Sequence, residues 1–183
     1  MALMDDLELV ANPREPPTSI ADGVEHRLDP RVIALARTSA WIFNAVVMAG
    51  GLLALFISWL AAGPTLAGAA WRAAAWLVPT AALAWLAERW PPIDYRHTSY
   101  RVDDLGIEIK RGVLWRAVIN VPRSRVQHTD VSQGPLERRF GLGTVVVFTA
   151  GTDHAKVSLQ GLEYGLALRI RQHLLPSGSS DAV

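Results

Sequence analysis

The sequence predicts a membrane-anchored α+β protein, in which a two-helix transmembrane hairpin precedes an antiparallel β-barrel or bent sheet capped by a C-terminal helix. Three observations carry that expectation. Residues 38–71 contain no Asp, Glu, Lys or Arg, and after Arg72 the chain is again uncharged until Glu88. From about Tyr95 the pattern changes to short β-branched runs separated by glycine-containing turns. Finally, Leu162, Leu166, Ile170 and Leu174 recur every four residues with Glu163, Arg169, Arg171 and Gln172 between them, the period of an amphipathic helix.

Taken in order, residues 1–22 hold "PREPP" and the acidic "DDLEL" with no sustained apolar period, and read as a disordered tail. An interfacial helix is expected over 23–40, where Asp29 caps, Pro30 occupies the first turn, and Val32, Ile33, Leu35 and Ala36 form an apolar side. The transmembrane hairpin occupies 41–90. Its first span, 41–60, is "WIFNAVVMAGGLLALFISWL", which at ~1.5 Å per residue crosses a hydrocarbon core of roughly 30 Å. The second, 69–86, is alanine-rich, carries Arg72 and Pro79, and depends more on packing against the first, where Gly50 and Gly51 permit close approach. Six of the seven tryptophans fall between positions 41 and 90. Trp41, Trp59, Trp71 and Trp90 bracket the spans as interfacial belts do.

The connecting loop has no charge, whereas Arg27, Arg31 and Arg37 precede the first span and Arg89, Arg96 and Arg101 follow the second. The positive-inside bias then expects a multi-pass protein of the cytoplasmic (inner) membrane, with both termini and the β-domain cytoplasmic.

The β-domain is placed at 94–176, with a disordered tail at 177–183. Two strands surround the Asp-Leu-Gly turn at 104–106. "VLWRAVINV" alternates, with Val113, Trp115, Ala117, Ile119 and Val121 on one face. Three further runs, "RVQHTDVSQG", "TVVVFTAG" and "AKVSLQGL", bring the count to six strands. In "RRFGLGTVVVFTAG", Gly141 and Gly143 lie beside Arg138 and Arg139 but lead into a strand. A phosphate loop needs its glycines to open a helix, so these read as a tight strand entry.

Composition excludes several chemistries. The chain has no cysteine, hence no disulfide, thiolate metal site or cysteine nucleophile. Its five histidines, His26, His97, His128, His154 and His173, show no metal-ligand spacing, no serine stands in a nucleophile elbow, and Asp103-Asp104 are turn residues. The expectation is no catalytic residue, no cofactor, no metal and no nucleic acid partner. The net charge of +1 conceals an asymmetry: residues 110–139 hold seven basic residues against Asp130 and Glu137.

Several strings in this region resemble the bacterial pleckstrin-homology (bPH2, DUF304) domain of YdbS-like membrane proteins. The matching pieces are Gly112, the run Val121-Pro122-Arg123-Ser124-Arg125-Val126-Gln127, and Arg138-Arg139-Phe140-Gly141-Leu142-Gly143 leading to Thr149-Ala150-Gly151. With the paired spans, the resemblance covers most of residues 25–175. It implies a PH-like fold of seven strands, so one of the six runs is expected to divide in two. It also implies a membrane-protein partner carrying related PH-like domains, and a role in envelope stress or antimicrobial-peptide resistance. Pro122, Gln127, Phe140, Gly141, Gly143 and Gly151 are its structural motif residues. Arg123, Arg125, Arg138, Arg139, Lys110 and Arg111 are the candidate contacts.

Two functional classes follow. In one, the domain is a non-enzymatic protein-interaction module held at the bilayer in a larger complex, homo-oligomers included. In the other, its basic residues bind anionic lipid headgroups directly, each contributing about 1 kcal/mol near the surface.

Overall fold

The computed structural model describes residues 20–62, 66–150 and 156–175. Of the tails expected at 1–22 and 177–183, residues 1–19 and all of the second lie outside the described residues, as does Gly151. Residues 20–22, assigned to the N-terminal tail from sequence, are ordered with the domain, and Ile20 and Ala21 pack against its core.

Among the described residues, seven strands and four helices follow in the order β1 (Glu25–Arg27), α1 (Arg31–Ala62), α2 (Leu66–Arg96), β2 (Ser99–Asp103), β3 (Gly106–Arg111), β4 (Ala117–Pro122), β5 (Val126–Ser132), α3 (Pro135–Phe140), β6 (Leu142–Thr149), β7 (Lys156–Glu163) and α4 (Tyr164–Leu174). A 3-10 turn at Arg123–Arg125 joins β4 to β5. All pairings are antiparallel, in a four-stranded sheet ordered β1-β2-β3-β4 and a three-stranded sheet ordered β5-β6-β7. The sheets remain separate, so the barrel alternative is not realised. The bent-sheet alternative with its helical cap describes the fold.

The seventh strand does not come from dividing a run. It is β1, upstream of both long helices, with Glu25, His26 and Arg27 opposite Arg101, Tyr100 and Ser99. The helix expected from residue 23 therefore starts only at Arg31, and the domain begins before the hairpin rather than at 94. A side chain alternating across so short a segment carries little period, and pairing with β2 decides its conformation. The chain then crosses to the other sheet, where the Asp29 amide donates to the Gly161 carbonyl of β7 at 3.0 Å.

Ile107, Ile109, Ile119 and Val121 of the first sheet face Val145, Val147, Val157 and Leu159 of the second, and Ala167, Ile170 and Leu174 of α4 close the core. Leu162, read as the first turn of the terminal helix, ends β7 instead and is buried there. The expected five-residue face of "VLWRAVINV" also shortens. Strand β4 starts at Ala117, only Ile119 and Val121 of that face are buried, and Trp115 is 89% exposed. Gly112, at φ +116°, turns the chain before this point.

Helices α1 and α2 pack antiparallel. Trp76 sits on Gly51, where any Cβ would meet its indole, and the Arg72 guanidinium donates to the Gly68 and Ser58 carbonyls. At the domain end, Glu88 receives the Trp41 indole N–H at 2.8 Å and pairs with Arg37 at 3.2 Å. α2 continues through Pro91 and Pro92 to Arg96, past the expected hairpin end. Pro92 leaves the Glu88 carbonyl without its helical donor, and Arg37 Nη2 donates to it at 3.4 Å. Among the described residues one helix, over 31–61, is long and apolar enough to cross a membrane, with mean hydropathy 2.1 and 11% of its most apolar stretch buried. Such low burial is unlike the core helix of a soluble protein. α2 does not meet that criterion, as Arg72 and its alanines and prolines would lead one to expect, so the hairpin is a helical pair with one candidate span.

Candidate basic ends of the domain

Both long helices leave the domain at the same end. Arg27, just before α1, stands opposite Ser99, just after α2, and Ser99 stands opposite Lys110. The β3–β4 turn and the start of β6 lie at this proximal end. The β2–β3 turn, the 3-10 turn and the end of β6 lie at the distal one: Gly106 pairs with Pro122 and Val126 with Thr149.

That geometry divides the candidate residues. Arg138 and Arg139 are exposed on the last turn of α3, where cations favour the helix C-terminus. They stand near the base of α1, because Arg31 Nη1 donates to the adjoining Phe140 carbonyl at 3.3 Å. Arg123 and Arg125 are at the other end of β5. Seven residue steps of β6 at roughly 3.3 Å each, about 23 Å, separate the two groups. The structure does not bring the two arginine pairs into one rim.

The individual roles differ as well. Arg123 Nη2 donates to the Leu175 carbonyl at 3.0 Å, strapping the end of α4, while Arg125 is exposed. Lys110 is engaged within the domain, at 2.8 Å from Glu25 and 3.5 Å from Glu108. Hydrogen bonding to Lys110, then to Ser99, holds the Glu25 carboxyl below its usual pKa, and the same Glu25 contact raises that of Lys110. This pair fastens β1 to its sheet. Arg111 is exposed at the proximal end.

The motif residues have local causes. Pro135 opens α3, the Glu137 carboxylate accepts from the Gly134 N–H at 2.6 Å and from Thr144 Oγ1 at 2.7 Å, and Gly141 ends the helix at φ +69°. Sequence reasoning read a bare turn here, although "GPLE" carried the Pro-and-Glu signature of a helix start. Gly143 is buried in β6, and a Cβ there would lie 3.2 Å from Tyr164 Cδ2. Pro122 closes β4, and Gln127 is exposed on β5. Sequence reasoning missed Gly161, at φ +79°, where a Cβ would meet Val32 Cγ2 at 2.6 Å as α1 crosses β7. Among the described residues no group of three or more His, Asp or Glu side chains is placed to hold a metal.

Two antiparallel sheets, a capping helix and a long exposed apolar helix define a membrane-associated PH-like module. The chain belongs to the bacterial PH domain family, whose model matches residues 32–177. It is similar to the UPF0699 transmembrane protein YdbS of Bacillus subtilis (strain 168), with 37% identity over 84 residues, 46% of this chain and 51% of that protein. The match thus spans about half of the relative's length. No solved structure matches.

Proposed function

We propose that this chain is a non-enzymatic, two-span interaction module of the cytoplasmic membrane, with its PH-like domain and both termini cytoplasmic, working in a complex with a membrane protein that carries related domains. Support for two spans is topological. β1 precedes α1 and β2 follows α2, yet the two strands share a sheet. If α1 crosses the bilayer, α2 has to return. Arginines before and after the helices favour the cytoplasm for the domain.

The observation that carries the partner reading is the position of Arg125. Exposed Arg125 and the 80% exposed Leu105 occupy the end away from the helix exits, where protein rather than lipid is within reach. Envelope stress or antimicrobial-peptide resistance is the setting that the resemblance to YdbS-like proteins suggests. A second reading, headgroup binding, is favoured by Arg138 and Arg139 beside the base of α1.

Purification of the full chain from membranes in mild detergent tests the first reading. A stoichiometric membrane protein with related domains should accompany it, and Leu105→Ala with Arg125→Ala should reduce that recovery while leaving the melt unchanged. Recovery of the chain alone, under conditions that preserve its fold, refutes the partner reading.

A further inference from the structure

We infer that the β3–β4 hairpin tip, Leu114-Trp115, is a membrane wedge: it inserts into the headgroup layer of an anionic bilayer beside the helices, and the flanking Arg111 and Arg116 bind lipid phosphates. The wedge goes beyond the partner reading, since it fixes how the domain lies against lipid whatever binds at its distal end.

Leu114 is 79% exposed, Trp115 89% and Val118 64%, which makes this tip a cluster, whereas the domain's other exposed large hydrophobics among the described residues, Val24, Leu105 and Tyr164, stand singly. Gly112 takes φ +116°, and a Cβ there would lie 1.8 Å from the Trp115 carbonyl, so the backbone holds the tip in a tight fold. A tight turn that displays Leu and Trp leaves an apolar surface needing an occupant.

Position identifies that occupant as lipid. Arg111 pairs with Ala117 at the sheet end from which both long helices depart. Trp115, Arg111 and Gly112 line a cavity of about 420 Å³ together with Val32 of α1 and Asp94 of α2. Val32 and Asp94 also begin an apolar groove that runs up between the helices past Phe43, Leu83 and Trp90. The tip is therefore continuous with the apolar helix surface. Asp94 is four residues from Trp90, about 6 Å of helix, and the headgroup layer outside a ~30 Å core is roughly 5–7 Å thick. A tryptophan at that level occupies the zone its amphipathic ring prefers. Arg111 and Arg116 are both exposed and suit an anionic surface, each raising the tip's occupancy of it roughly fivefold.

The cysteine-free full chain allows a direct test in vesicles of phosphatidylcholine with phosphatidylglycerol. Leu114→Cys and, as a distal control, Leu105→Cys are each labelled with an environment-sensitive fluorophore. The wedge predicts blue-shifted emission at 114, quenching by lipids spin-labelled near the headgroup, and protection from iodide that weakens when Trp115→Ala is added or phosphatidylglycerol is omitted. The 105 probe should be open to iodide throughout. Equal iodide access at 114 and 105 overturns the proposal. So does a shielded 114 probe that no spin-labelled lipid quenches, because the tip would then be covered by a second copy of the chain.

Discussion

Replacing Gly161 by Ala tests how the first long helix is joined to the domain. Gly161 lies in β7 at φ +79°, and its added Cβ would stand 2.6 Å from Val32 Cγ2 and 3.1 Å from Val32 Cβ. A left-handed backbone costs a non-glycine residue roughly 1–2 kcal/mol, and overpacking adds about 1–3 kcal/mol. The variant should lose about 2–5 kcal/mol, which for a small domain lowers the melting temperature by at least about 8 °C. Thermal melts of the full chain in detergent, followed by near-ultraviolet circular dichroism, measure the loss. Adding Val32→Ala removes the 2.6 Å contact with Cγ2 but leaves the 3.1 Å contact with Cβ and the backbone strain, so the pair should couple by about 1–3 kcal/mol in a double-mutant cycle. A Gly161→Ala melt within about 0.5 kcal/mol of the parent, a change typical of a surface site, would refute the crossing of α1 over β7.

Two further predictions separate framework from surface. Gly143→Val should destabilise the domain by about 1–3 kcal/mol, since the new side chain meets Tyr164, whereas Arg138→Ala with Arg139→Ala should shift the melt by less than about 0.5 kcal/mol; the opposite order would reverse the assignment. Lys110 and then Ser99 hold the Glu25 carboxyl below its usual pKa, so this side chain's contribution to the hold of β1 is present above the ordinary carboxylate range and is lost as pH falls through the lowered folded value, while the backbone pairing stays. Amide protection at Gly23, which donates to the Val102 carbonyl, should drop over that range beyond the intrinsic pH effect and should lose this dependence in Glu25→Gln.

Elements with a strong local period were legible in the sequence. The uncharged run that became α1 marks an apolar helix by its length alone, while the alternation of Ile107 with Ile109 and of Val145 with Val147, and the Ile170–Leu174 spacing, each report a single buried face. β1 was not legible, because "EHR" has no pattern of its own and becomes a strand through a partner more than seventy positions away. The basic site misled for a different reason. Arg125 and Arg138 are near in sequence, but β5 carries the chain from one end of the domain to the other between them. Short sequence distance across a strand is long distance in space. The sequence puts Trp115 on one face with Ile119 and Val121 because the alternation of β4 continues into the turn, and the Gly112 backbone ends it.

The central claim, a domain tied on one side of the membrane by a hairpin that crosses and returns, is tested most directly by single-cysteine labelling. Thr65→Cys and Leu105→Cys, each made in the cysteine-free chain, are exposed to a membrane-impermeant maleimide in intact cells and again after lysis. Labelling at 65 in intact cells, with labelling at 105 only after lysis, is the expected result. Labelling at 105 in intact cells, or protection of 65 until lysis, would contradict it.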